Sequence, residues 1–229
     1  MQWEQLEGKI TTFLNPFSYF ITRDYKELKE FQVLYDGVSL CVLESIFDGS
    51  SVKRKRYSFD DTSLAPVVFS NAVRRSLSVG IIGSTEETIC KARTLIEKKY
   101  PGIHIPFAYS GYLDADQYAK AVEDLFGCDI VVCGMGTPNQ EALLLRLKSR
   151  GWHGTGFTCG GYFDQFCSTS GADYYPALID KLNLRWAYRL YKEPRRLWKR
   201  YLLIYPAGMS IFIQEKLRAL FRKPGAQEP

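Results

Sequence analysis

A chain of 229 residues, 46% hydrophobic and 24% charged, carries enough apolar material for one large domain, or for one domain with an appendage. Its apolar fraction is too high and its charges too balanced for disorder. It lacks the ~18 uninterrupted apolar residues of a membrane-spanning helix, and Met1-Gln2-Trp3-Glu4 shows no secretory signal, so the chain is expected to stay in the cytosol.

Taken in chain order, Ile10–Leu14 and Phe31–Tyr35 read as strands, each followed by an apolar helix-like run. Leu77 to Gly83 reads as a buried strand ending in glycine. Ser84 and Glu87 have the spacing of a capping box, opening a helix with Ile89, Ala92 and Ile96 on one face. Pro101-Gly102 closes it, Ile103 to Ala108 reads as the next strand, and a helix follows from Asp114 to Phe126. Asp129 to Cys133 is a third strand of this middle region. Thr137 to Arg150 is a helix stopped by Gly151, and Gly156 to Cys159 is a fourth strand. This β-α-β-α order with short links predicts an α/β fold, a parallel sheet with helices on both faces. Ligands of such sheets sit where strands end at their carboxyl edge, facing helix amino termini.

Charge divides the chain. Residues 181–229 hold 12 Lys and Arg against 3 Asp and Glu, or +9, whereas residues 1–180 hold 18 against 22, or −4. A body, 1–184, and a basic, aromatic appendage, 185–229, are therefore expected. Trp186, Tyr188, Tyr191, Trp198 and Tyr201 lie among the arginines and lysines, a mixture suited to the boundary of lipid headgroups and acyl chains. A terminal helix pair with solvated basic faces is the competing reading. No motif accompanies the charge to favour a nucleic acid.

Six cysteines without a Cys-x-x-Cys pair, and only His104 and His153, fit neither a disulfide framework nor a zinc or histidine metal site. Cys133 and Cys159 read as small core fillers. Gly134-Met135-Gly136-Thr137-Pro138-Asn139-Gln140-Glu141 follows a strand directly. Its glycines allow close approach of backbone to a ligand, and Pro138 suits a first helical position. Gln140 either contacts that ligand or closes a capping box with Thr137. The segment is neither Gly-x-Gly-x-x-Gly nor a Walker loop, which disfavours a dinucleotide dehydrogenase or P-loop enzyme. Gly160-Gly161-Tyr162-Phe163-Asp164 repeats the arrangement after the next strand. Asp36-Gly37 reads either as a turn or as a carboxylate able to take a proton from a hydroxyl. Asp114-Ala115-Asp116 has the spacing of a nucleotide-diphosphate metal site but reads more simply as the start of a helix.

These segments, with Trp186 to Arg196, make the chain resemble the WecG/TagA/CpsF glycosyltransferases across most of its length. Weaker matches are Asn15-Pro16, Asp36-Gly37, Tyr100-Pro101-Gly102 and Gly111-Tyr112. The resemblance implies a doubly wound, Rossmann-like, inverting and metal-independent transferase with no cofactor. Its substrates would be a UDP-sugar and a polyprenyl-diphosphate-linked sugar, met at the cytosolic face of the membrane, and self-association into a homo-oligomer is compatible with it. By the same resemblance Asp36 is the catalytic base, and Asn15 and Gln140 line the sugar pocket. Arg56, Tyr112, Gly134, Gly136, Gly160, Gly161 and Asp164 belong to the donor site. Arg189, Arg196 and Arg200 neutralise the diphosphate. Phe13, Phe59, Arg185 and the segment 165–171 differ from the family pattern, mostly around the expected sugar pocket. The donor sugar is therefore expected to be an N-acetylhexosamine or a related hexose. A fold that binds a UDP-sugar as a scaffold without turnover is the alternative.

Overall fold

The computed structural model describes residues 1–49, 54–171, 174, 176, 179, 182 and 184–221; the Arg196 side chain is outside that description. The chain forms two compact units. One comprises Met1–Phe13, Tyr25–Leu34 and Tyr57–Pro176, the other Leu14–Asp24, Tyr35–Arg56 and Ala177–Pro229.

The six-stranded sheet has β1 (Ile10–Leu14), β2 (Gln32–Tyr35), β3 (Val79–Gly83), β4 (Ala108–Tyr109), β5 (Ile130–Gly134) and β6 (Thr155–Thr158), in the order β2-β1-β6-β5-β3-β4. The pairs β1–β6, β6–β5, β5–β3 and β3–β4 are parallel, with Ile82 beside Cys133 and Gly83 beside Gly134. From β3 the chain first steps outward to β4 and then returns to the other side at β5, so the carboxyl ends of β3 and β5 form a switch point, where such folds bind ligands.

Alternation along the strands explains the two cores of the first unit. Val79, Ile81, Ile130 and Val132 face one layer with α3 (Ala65–Arg74), α4 (Glu86–Lys99) and α7 (Tyr162–Ser168). Ile82, Val131 and Cys133 face the other, with α5 (Ala115–Phe126) and α6 (Asn139–Ser149). These central strands are buried on both faces, hence their near-continuous apolar sequence. Each large side chain so buried contributes about 1.5–3 kcal/mol. The expected doubly wound Rossmann-like sheet is thus present.

One expected strand is much shorter. Ile103 to Ala108 contracts to β4 at Ala108–Tyr109, preceded by a single bridge between Ser78 and His104. Pro106 has no N–H to offer a ladder, and pairing resumes only after it.

The second unit contains α1 (Pro16–Thr22), α2 (Val38–Phe47), α8 (Arg185–Lys192), α9 (Pro194–Lys199) and α10 (Tyr205–Phe221), with a π-helical turn at Arg200–Ile204. Pro206 cannot donate to the carbonyl four residues back, and the turn lies directly before the helix carrying it. α10 packs on α1 through Gly208: a Cβ there would stand 2.0 Å from the Pro16 carbonyl oxygen. Phe212 stacks edge-on against Tyr19 and Tyr35, and Lys216 meets the buried Glu44 carboxylate of α2 at 2.6 Å. The expected C-terminal helical segment is therefore present, and it supplies part of this unit's core. Among the described residues no helix is long and apolar enough to cross a membrane.

Candidate active site

In the first unit the carboxyl ends of β3, β5 and β6 meet as bare backbone. A Cβ on Gly83 would lie 2.6 Å from the Gly134 carbonyl oxygen, and one on Gly134 would lie 2.8 Å from that of Gly160. Side chains are excluded from these strand ends by contact, so the backbones of the three loops meet closely at the edge where such folds form their ligand crevice. Gly136, Gly160 and Gly161 belong to those loops. Tyr112, after β4, is 80% exposed, and its N–H donates to Ser110 Oγ.

Ser84 contributes in a way the capping pattern does not suggest. The cap of α4 is Thr85, whose Oγ1 accepts from Thr88 N–H. Ser84 sits one residue earlier in the left-handed region, φ 53°, and donates to Asp164 Oδ1 at 2.6 Å. The expected Ser84–Glu87 capping box is absent because the chain turns at Ser84 before the helix begins. Its hydroxyl instead orients the Asp164 carboxylate.

Gln140 is 4% exposed and uses both ends of its amide internally. Its Oε1 accepts from Gly160 N–H at 3.1 Å, and its Nε2 donates to Thr137 Oγ1 at 3.2 Å and Glu141 Oε1 at 3.1 Å. It reaches back to Thr137, as a capping box would, but to the hydroxyl and not to the backbone. α6 starts at Asn139, with Pro138 at the cap position after a cis Thr137–Pro138 bond, one residue outside the helical position expected for it. Asp114 caps α5 in a capping box with Gln117, in agreement with the helix-start reading of Asp-x-Asp. Among the described residues no group of three or more His, Cys, Asp or Glu could hold a metal ion.

In the second unit Asp36 follows β2 directly and is separated from α2 by Gly37. Its N–H donates to the Leu14 carbonyl at 2.9 Å, and Arg56 Nη1 donates to its Oδ1 at 2.7 Å. The side chains are 34% and 20% exposed, so the pair is oriented yet open to solvent. Gly37 has φ −81°, so its backbone conformation does not call for glycine, but a Cβ there would stand 3.0 Å from Pro16 Cδ and 3.4 Å from Asn15 Cα. Asn15 caps α1, its Oδ1 accepting from Phe17 and Ser18 N–H.

The arginines of the C-terminal segment fall into the same unit as Asp36. The Arg200 guanidinium lies 4.1 Å from the Phe17 ring centroid and 6.0 Å from that of Tyr205. Burial pulls its pKa below the usual value, and the positive charge of Arg189 lowers it further. The Tyr205 hydroxyl is pushed up, first by burial and then by Tyr201 and Asp36, while Arg200 and Arg189 pull it down. Asp36, Arg189 and Arg200 thus each lie within electrostatic reach of Tyr205. Ser84 and Tyr205 are absent from the sequence-derived site: one looked like a cap, the other like one aromatic among many. Arg196 belongs to α9, with its side chain outside the described residues.

All six thiols are free, and burial pushes each above its usual value, Cys41 to about 11 and Cys128 to about 12, so none is a poised nucleophile.

The sequence is also similar to characterised proteins. It is 37% identical over 219 residues to the UDP-Gal:alpha-D-GlcNAc-diphosphoundecaprenol beta-1,4-galactosyltransferase of Shigella boydii, covering 93% of this chain and 90% of that protein. To the N-acetylglucosaminyldiphosphoundecaprenol N-acetyl-beta-D-mannosaminyltransferase of Bacillus subtilis (strain 168) it is 25% identical, covering 95% and 84%. The enzyme of that name from Bacillus spizizenii is 24% identical, covering 82% and 70%. The family model for "Glycosyl transferase WecG/TagA/CpsF family" matches residues 3–222. The chain belongs to the WecG/TagA/CpsF family and is a glycosyltransferase.

Proposed function

We propose that this enzyme transfers a hexose from a UDP-sugar to N-acetylglucosaminyl-diphospho-undecaprenol, with inversion and without a metal ion. The observation that carries the reading is the Asp36–Arg56 pair: a carboxylate at a strand's carboxyl end, held by a guanidinium and open to solvent. In the proposed step the acceptor hydroxyl oxygen attacks the anomeric carbon and Asp36 takes the hydroxyl proton. The bond from that carbon to the diphosphate breaks, and UDP leaves with the electron pair.

The donor nucleotide is assigned to the glycine-floored crevice, with Tyr112 and Asp164 at its rim. The first turns of α4, α6 and α7 already carry Glu86 and Glu87, Glu141 and Asp164. These acids offset the positive helix ends, so charge on the departing diphosphate falls to guanidinium groups, and Arg189, Arg196 and Arg200 are assigned that role. Asn15 and Gln140 shape the sugar pocket through the backbone they hold. Galactose is the first donor to test. The galactosyltransferase is the relative at 37% identity, against 24–25% for the mannosaminyltransferases, and the departures from the family pattern lie mostly around the expected sugar pocket. A lipid-linked acceptor supports a peripheral membrane location, which we assign to the inner face.

Transfer from UDP-galactose, UDP-N-acetylglucosamine and UDP-N-acetylmannosamine to the lipid-linked acceptor in detergent tests the proposal. Asp36→Asn is expected to lose about 10²–10⁴-fold in kcat while still binding UDP. Full activity of that variant, or UDP binding by the wild type without transfer from any donor, overturns it; the second result favours a scaffold.

A further inference from the structure

Beneath the crevice lies a carboxyl group that the proposed chemistry does not use. Glu141 is completely buried, and its Oε1 collects three donors: Thr12 Oγ1 at 2.9 Å, Gln140 Nε2 at 3.1 Å and Thr137 Oγ1 at 3.3 Å. Its Oε2 has no hydrogen-bond partner among the described residues. Thr158 on β6 donates to Thr12 on β1 at 3.1 Å, so the network begins on two adjacent strands. It ends at Gly160, whose N–H is held by the Gln140 carbonyl.

The donors and acceptors fit only one way. Thr12 accepts from Thr158 and donates to Glu141; Thr137 accepts from Gln140 and donates to Glu141. Both amide hydrogens of Gln140 then face acceptors, and its carbonyl faces an N–H. A flipped amide would set oxygen against oxygen at Glu141 and N–H against N–H at Gly160. The acceptor-only oxygen of Glu141 is therefore what dictates the orientation of Gln140.

We infer that Glu141 is the positioning residue of the donor site: through Gln140 it sets the spacing of the two glycine loops, at 134–137 and 160–161, that hold the nucleotide. The inference rests on the assignment of UDP to that crevice. Removing the hub frees Gln140 to release Gly160, so donor binding suffers. Asp36, which meets the acceptor hydroxyl in the proposed step, takes no part in this network, so acceptor binding does not.

The test compares Glu141→Ala and Glu141→Gln by isothermal titration with UDP and by steady-state kinetics in donor and acceptor. Glu141→Ala is expected to weaken UDP binding by about tenfold, with acceptor KM within about twofold of wild type. Glu141→Gln keeps an oxygen at the hub and places its amide nitrogen where Oε2 has no partner, so UDP affinity returns to within about threefold of wild type. Unchanged UDP affinity in Glu141→Ala, equal losses for donor and acceptor, or a glutamine variant as weak as the alanine one overturns the inference. Should Glu141→Ala fail to fold, Gln140→Met removes the same tie to Gly160 and is expected to show the same donor-only loss; its absence overturns the inference equally. Wild-type protein that transfers sugar without measurable affinity for UDP removes the crevice assignment and the inference with it. Wild-type binding with normal binding by the variants removes the inference alone.

Discussion

Single side chains here are read by what surrounds them. Asp36 and Asp114 are both aspartates beside a small residue near the start of a helix, yet one meets a guanidinium and solvent while the other is consumed by a cap. Local spacing suggested the cap at Asp114 but could not choose at Asp36, because the partner that decides it, Arg56, lies twenty residues away. Ser84 was legible as a helix start and misplaced by one residue: its role depends on Asp164, eighty residues on. The buried thiols carry a prediction at this scale. Cys41 and Cys128 ionise near 9 when unfolded, but at about 11 and about 12 in the fold, where burial disfavours the thiolate. Their raised values contribute stability that is complete below pH 9 and lost as pH rises toward 11. Denaturant titrations between pH 8 and 11 are expected to show each thiol costing about 2–3 kcal/mol, with a flatter profile in Cys128→Ala. An identical slope in that variant counts against this account.

Whole elements show where periodicity suffices and where it does not. β3, β5, α4 and α5 were legible because apolar residues recur at the strand or helix period and Gly or capping residues bound them. β4 was overread because four apolar positions, Ile103, Ile105, Phe107 and Ala108, outweighed Pro106, whose missing N–H costs the ladder. α10 falls within the terminal helix pair that the sequence offered as a competing reading, but its tight docking was not legible. Gly208 fits an ordinary helical position, and only the Pro16 carbonyl, 192 residues away, demands the absence of a Cβ. Gly208→Ala therefore puts a methyl group 2.0 Å from a backbone oxygen. It is expected to cost ~1–3 kcal/mol despite alanine's better helix propensity. A thermal midpoint at or above wild type would show that α10 moves off α1 without penalty.

For the whole molecule, charge and apolar exposure follow the same division. The second unit carries 17 Lys and Arg against 8 Asp and Glu, the first 13 against 17. Among the described residues, fourteen of the fifteen exposed large hydrophobic side chains belong to the second unit, including Tyr191, Leu202, Leu203 and Phe221. That combination suits an anionic lipid surface. The protein is expected to float with phosphatidylglycerol-containing vesicles and less with neutral ones. Leu202→Glu combined with Leu203→Glu should weaken flotation several-fold without loss of UDP binding. Point changes are the appropriate probe, because deleting the C-terminal segment also removes Lys216 from the buried Glu44 and Phe212 from Tyr19 and Tyr35. Equal flotation with charged and neutral vesicles would argue against the electrostatic part.

The sequence by itself determined what local order encodes: an α/β chain with glycine-ended strands, a basic aromatic C-terminal segment and three motifs whose order and spacing point to one transferase family. Hydrophobic period, helix caps and turn residues act over a few neighbours, so they can be read along the chain. Only the tertiary structure decided the pairings that chemistry needs. It joined Asp36 to Arg56, brought Arg189 and Arg200 around Tyr205, spent Gln140 on Gly160, and buried Glu141 beneath both loops. Those outcomes depend on which strand lies beside which, and a hydrogen bond across the fold leaves no periodic trace in either of the segments it joins.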